Sequence, residues 1–221
     1  MGEISTKKRS FLHFANSMHK ITFFILISSI FAGLNCRPNL NYPIKIGIMR
    51  LGKLDDVFFA QAKKEIELFY NASVIDLGEK PLPKIAYYSP RNRFRANKLI
   101  KWLRETSPDS IDYILGITSS DISITKGEIQ DYGIMGLAYN PGRSGVVSTF
   151  RLSKGAKNQS HVLERFSKTV LHELGHNFGI EHCSHSKHCL MRDACGTVKT
   201  LDAEAKNVCG TCKRRLGELL K

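Results

Sequence analysis

The chain has 221 residues, 42% apolar and 24% charged, which suits one ordinary domain with a targeting segment and excludes a mainly disordered polypeptide. Lys and Arg number 33 against 20 Asp and Glu, a formal charge of +13. The first 35 residues contribute only +3 of this, with Lys7, Lys8, Arg9 and Lys20 against Glu3, so the body carries the other +10. A basic body suits nucleic acid, anionic lipid or acidic ligands, but here the charge is spread along the chain and reads as solubility.

Residues 21–34 form a 14-residue run without a charge, short of the roughly 20 residues that span a bilayer. Lys20 before it and small residues near its end suit a secretory signal. Met18 is then an alternative start. Cys36 follows directly, an arrangement that resembles a bacterial lipoprotein signal in which the cysteine becomes the lipidated first residue. Gly33 and Asn35 depart from that pattern, so a plain secretory signal, a retained anchor and a miscalled amino terminus that would leave the protein in the cytoplasm stand as alternatives. The expected division is a signal over residues 1–36 and a catalytic domain over 37–221, outside the cytoplasm and held to a membrane by lipid.

Beyond a linker at residues 39–43, strand and helix alternate. Residues 43–49 read as a first strand. Residues 55–70 have helical apolar spacing at Phe58, Phe59, Ala62, Ile66 and Phe69, with Asp55 as N-cap. Residues 73–77 and 85–88 are strand candidates, and residues 93–105 a second amphipathic helix. Residues 113–118 are a continuous apolar strand, expected at the centre of a sheet. Two more strands, at 134–139 and 145–152, flank an Asn140-Pro141-Gly142 turn. This order predicts an α/β fold built on one sheet.

The next predicted helix, residues 164–178, holds His172-Glu173-Leu174-Gly175-His176. Residues four apart on a helix differ by about 40° around it and about 6 Å along it. Both imidazoles therefore project from one side and can hold one zinc, with Glu173 beside it and placed to take a proton from the attacking water. Zinc then lacks one protein ligand. His182 is the candidate, but a straight helix would carry it about 15 Å from His172. Gly179 is placed to end the helix and turn the chain back. Specifying this Gly and His as well cuts chance matches roughly four-hundred-fold at ordinary usage.

The full pattern resembles the metzincin metalloproteases. Cys183 beside His182, Cys189-Leu190-Met191 and Cys209-Gly210-Thr211-Cys212 make it similar to the archaemetzincins in particular, and the likeness extends weakly upstream through residues 113–118, 136–138 and 146–148, covering about residues 44–216. The resemblance implies a metzincin-like α/β (α+β) fold: a twisted mixed sheet, an active-site helix and a small C-terminal zinc-bound subdomain. It implies His172, His176 and His182 as catalytic zinc ligands, Glu173 as general base and Met191 as an apolar floor below the metal. It implies Cys183, Cys189, Cys209 and Cys212 as ligands of a second, structural zinc, a closed site of the stabilising kind. Five residues separate Cys183 from Cys189 where the family usually has four. His185 and His188 in that insertion, and Cys195, are alternative ligands. Outside the cytoplasm the four thiols could instead form disulfides.

These readings predict a zinc metallopeptidase with two zinc ions, acting on peptide or protein substrates through a zinc-activated water, with residues 134–139 as the edge strand along the cleft. The alternative is a zinc-stabilised binding protein with little turnover, for which Glu173 would have no use. No phosphate loop is present. Lys213-Arg214-Arg215 lacks interleaved aromatics and reads as a solvated helix end, so no nucleic acid is expected.

Overall fold

Strand β1 (Lys45–Leu51) buries Ile46 and Ile48 on one face and Met49 and Leu51 on the other, the mark of a strand covered on both sides. The computed structural model describes residues 43–219; the expected signal at residues 1–36 and Cys36 lie outside them. β1 pairs in parallel with β2 (Ser73–Lys80) and with β5 (Tyr113–Thr118). β5 pairs in parallel with β9 (Ser144–Ser148), and β8 (Gly136–Ala138) closes the sheet antiparallel to β9. The order is β2-β1-β5-β9-β8, so β5 is central and β8 is an edge.

Two helices cover one face. In α1 (Asp56–Tyr70), Asp55 caps the start by accepting from the Val57 N–H at 3.0 Å, satisfying one of the orphan donors there. Helix α3 (Gln159–Asn177) packs beside it, with Phe58 edge-on to Phe166 at 5.1 Å and the buried Tyr70 hydroxyl donating to the Leu171 carbonyl at 2.6 Å. The opposite face carries α2 (Ala96–Thr106), whose Leu99, Ile100 and Leu103 are buried against Ile114 and Val146.

Several predicted boundaries move. α3 begins at Gln159 and not at residue 164, because Asn158 accepts from the His161 N–H at 2.9 Å and caps a turn whose polar residues hide the apolar period. The second helix begins at Ala96; Arg93–Arg95 is instead strand β4. Residues 85–88 resolve into a short 3₁₀ turn, Lys84–Ala86, and the two-residue β3, Tyr87–Tyr88. Residues 134–139 divide at Met135 between β7 (Ile129–Ile134) and β8. β9 stops at Ser148, where Thr149 begins a series of turns. The single expected sheet is also two. β6 (Ile122–Lys126) and β7 form an antiparallel hairpin that joins β4 and β3 in the order β3-β4-β6-β7.

After α3 the chain forms α4 (Val198–Ala203) and α5 (Gly210–Leu219). Lys213, Arg214 and Arg215 are exposed on α5. α4 is tied to α3 by Arg165, which is 2% exposed and grips Asp202 through Nε and Nη2, both at 2.7 Å. Hydrogen bonds from that guanidinium, and secondly from His161, hold the Asp202 carboxyl down at about 2. A carboxyl lowered by folding stabilises above its unfolded value near 3.9 and loses that contribution as pH falls through the folded one. Asp202→Asn is therefore expected to lower stability at pH 7 by at least about 1 kcal/mol, with allowance for solvent screening of the partly exposed carboxylate. The gap between the two urea midpoints should shrink as pH drops from about 4 to about 2; a gap unchanged over that range would assign the loss to something other than this ion pair.

Candidate metal centre and active-site cleft

The end of α3 shapes the site. Gly179 has φ +90°; its N–H donates to the His176 carbonyl at 2.8 Å and the Ile180 N–H to the Gly175 carbonyl at 2.9 Å. This pair of bonds is the Schellman motif, which needs a residue at positive φ and so favours glycine. The chain then reverses and brings His182 back against the helix. The ring centres of His172, His176 and His182 lie 4.6, 4.7 and 5.4 Å apart, and the His176 and His182 Nε2 atoms are 3.2 Å apart. Two nitrogens on one tetrahedral zinc sit about 3.3 Å apart at bonds of about 2.0–2.1 Å, so the donor set fits that ion.

The other ring nitrogens orient the imidazoles. His172 Nδ1 lies 2.7 Å from the Leu190 carbonyl and His176 Nδ1 2.7 Å from the Ile180 carbonyl, contacts that fix the tautomer and leave Nε2 for a metal. Burial first, and the neighbouring imidazoles in addition, lower the pKa of both, His172 to about 3. Both rings are therefore neutral, the ligating form. Glu173 lines the same cleft and reaches toward the edge strand at Gly136, and burial pushes its carboxyl up to about 8.

Gly136 on β8 makes room for Glu173: a Cβ there would stand 2.5 Å from Glu173 Oε1 and 2.7 Å from its Cγ. Gly136→Ala is expected to displace the carboxylate and lower kcat by about 10- to 100-fold, the scale for misplacing a reacting group by about an ångström, with little change in melting temperature. Wild-type kcat in this variant would mean that Glu173 need not occupy its observed position. Met191 is 1% exposed and lies under α3 at Gly175, where a Cβ would meet its Sδ at 2.5 Å. Asn177 holds the turn between β8 and β9 by donating to the Tyr139 and Ser144 carbonyls, each at 3.0 Å.

A cleft of about 640 Å³ opens over the histidines. β8 forms one wall and the β6–β7 hairpin another, through Ile124, Lys126 and Tyr132. The Tyr132 hydroxyl reaches across to the Cys195 carbonyl at 3.0 Å. Sequence reasoning passed over this hairpin, Gly136 and the far wall at Leu201 and Glu204. The hairpin had a signal, alternating Ile122-Ile124 and Tyr132-Ile134 about Gly127 (φ +56°); the others become neighbours only in three dimensions.

The second predicted group also assembles. The metal-binding atoms of Cys183, Cys189, Cys209 and Cys212 lie within 4.8 Å of one another. Their thiols are free, and the Cys183 and Cys209 sulfurs are 3.6 Å apart. Two sulfurs on one tetrahedral zinc stand about 3.8 Å apart at bonds of about 2.3 Å, so this set fits zinc as well. The Cys209 N–H points at Cys189 Sγ at 3.3 Å, and the Cys212 N–H draws the Cys209 thiol down to about 7. His185, His188 and Cys195 are not among the four residues of this group. His188 is turned to the Ala203 carbonyl at 3.0 Å, and Cys195 is exposed at φ +49°.

A histidine pair on a sheet-backed helix, completed by a third histidine after a glycine turn, defines the class: a zinc metallopeptidase. A family model described as Peptidase family M54 matches residues 83–218, more than half of the chain. The chain belongs to that family. It is 32% identical over 178 residues to an archaemetzincin of Halobacterium salinarum, covering 77% of this chain and 98% of the relative. It is 34% identical over 140 residues to an archaemetzincin of Methanopyrus kandleri, covering 63% and 75%. The crystal structure of archaemetzincin from Methanopyrus kandleri matches with a TM-score of 0.71 at 27% identity, covering 80% of this chain and 96% of that one. The archaemetzincin of Archaeoglobus fulgidus complexed with malonate matches at 0.67 and 26% identity, covering 78% and 99%.

Proposed function

We propose that the chain hydrolyses peptide bonds with His172, His176 and His182 as ligands of a catalytic zinc and Glu173 as general base. The observation that carries this reading is the convergence of three imidazoles, two of them braced through Nδ1 by backbone carbonyls, beside a buried carboxyl in a cleft walled by an edge strand. Zinc bound there supplies a Lewis acid that polarises the scissile carbonyl. Glu173 takes a proton from the attacking water as the new C–O bond forms, and passes it to the leaving amine as the C–N bond breaks. Among the described residues β8 presents an unpaired edge, on which an extended peptide can lie by main-chain hydrogen bonds. Met191 closes the floor with an apolar side chain. Cys183, Cys189, Cys209 and Cys212 hold a second zinc that secures the C-terminal segment, which makes two zinc ions per chain. Export by residues 21–34 and lipidation at Cys36, with the membrane as a further partner, complete the proposal and rest on sequence alone.

The test is cleavage of an unbiased peptide library by the purified chain, before and after chelation. The open three-histidine site should lose its metal first, and cleavage should vanish with it and return on adding zinc. Undiminished cleavage by protein shown by metal analysis to be stripped would end the metallopeptidase mechanism.

A further inference from the structure

Past the histidines the cleft runs on toward the amino-terminal half of α3. Thr169, one turn before His172, lines it there, together with Leu201 of α4 and Glu204, the residue that ends α4. Glu204 is 4% exposed. Its Oε1 is wholly buried without a hydrogen-bond partner, and among the described residues no Lys, Arg or His forms an ion pair with its carboxylate. The cations near enough to be felt are engaged elsewhere: Lys168 Nζ contacts Glu164 at 3.0 Å and the Leu201 carbonyl at 3.2 Å, and Arg192 donates to the Lys187 carbonyl at 3.1 Å. Burial pushes the Glu204 carboxyl up to about 7, with Lys168 and Arg192 opposing. A buried carboxyl left unpaired is costly, and the fold itself makes no use of this one.

Acidic side chains outnumber basic ones along the cleft: Glu173, Glu181, Asp193 and Glu204 line it against Lys126, in a protein of formal charge +13. The lining is partly apolar, from Leu137, Ala194 and Leu201. Apolar walls ending at a carboxylate suit a long side chain with an aliphatic stem and a cationic tip.

We propose that this cleft selects a substrate Lys or Arg side chain, which lies against Leu201 and Ala194 and ends at Glu204. The inference deepens the peptidase reading and rests on it for the assignment of the cleft as substrate site. Glu204 acts as a specificity residue and takes no part in bond breaking.

The experiment uses neutral peptides into which Lys, Arg or norleucine is placed at each position in turn, with free and acetylated amino termini. Lys or Arg at one position should raise kcat/KM over norleucine at least about ten-fold, the factor for one hydrogen bond to a charged group. In Glu204→Gln that ratio should fall close to one. The ratio is internal to each preparation, so loss of folded protein lowers both rates and leaves it unchanged. A second arm titrates zinc-loaded Glu173→Ala with the Lys and norleucine peptides by calorimetry. The same selectivity should appear in Kd and disappear in the Glu173→Ala, Glu204→Gln double variant. If the native chain cleaves nothing but Glu173→Ala still binds the Lys peptide selectively, the peptidase reading fails and the cleft's selectivity for a cationic side chain stands. Equal treatment of Lys and norleucine, a preference untouched by Glu204→Gln, or a preference for a free amino terminus alone would each overturn it.

Discussion

Glu173→Ala is expected to leave zinc on the histidines and remove nearly all peptidase activity. The carboxylate is not needed to hold the metal, because His172, His176 and His182 converge without it and their Nδ1 contacts at Leu190 and Ile180 do not involve it. Its loss deprives the attacking water of a base and the leaving amine of its proton donor, an effect of about 10²–10⁴-fold in general acid–base catalysis. kcat should carry most of the loss, since Glu173 acts in the transition state and not in binding the ground state. The substitution also relieves a buried carboxyl that burial pushes up to about 8, so melting temperature should hold or rise. Metal analysis, a melting curve and single-turnover cleavage together decide the matter. Activity within ten-fold of wild type in a fully loaded variant would remove Glu173 from the mechanism.

Cys209→Ser is expected to have the largest effect on stability. The segment after residue 182 has little regular structure before α4, and its own apolar cluster consists of Ile180, Cys183, Cys189, Met191 and Cys212, with Val208, Cys209 and Leu216 at its border. Leu190 and Leu201 join the main core, but so small a cluster of its own would depend heavily on the proposed second zinc. Structural zinc in isolated fingers contributes about 10–16 kcal/mol of apparent binding free energy, all of it available to folding. Loss of only a few kcal/mol would move Tm by about 10 °C, since 1 kcal/mol is worth about 2–4 °C at this size. The variant should hold one zinc in place of two and become sensitive to protease in the C-terminal segment. Activity should fall too, because Cys183 adjoins His182 and the Cys183 N–H donates to the Met191 carbonyl at 2.7 Å. His176→Ala should instead abolish activity with a smaller loss of stability. A native protein with a single zinc and no titratable thiols among these cysteines would mean that disulfides secure the segment.

The histidine group is legible because its order in the chain is its chemistry, whereas the cysteine group rests on the family resemblance. His172 and His176 share a face through the helical period alone, and Gly179 marks the reversal through the one backbone region that side chains disfavour. The longer insertion after Cys183 obscured the second group, since spacing does not show which of several thiols and imidazoles point inward. Only folding turned His188 toward Ala203 and left Cys195 at the surface.

What the sequence determined by itself was therefore the local and periodic part: the strands buried on both faces, the long helices, the histidine helix with its glycine stop, and the central place of residues 113–118. The tertiary structure alone decided the cleft. The β6–β7 hairpin pairs with β4 across the intervening α2 and β5, Gly136 matters only because Glu173 leans over it, and Glu204 matters only because the Arg165–Asp202 tie sets α4 against α3. Apart from the hairpin's own alternation about Gly127, none of these leaves a mark within a window of the sequence. Each is a contact between segments whose separation along the chain carries no information about their distance in space.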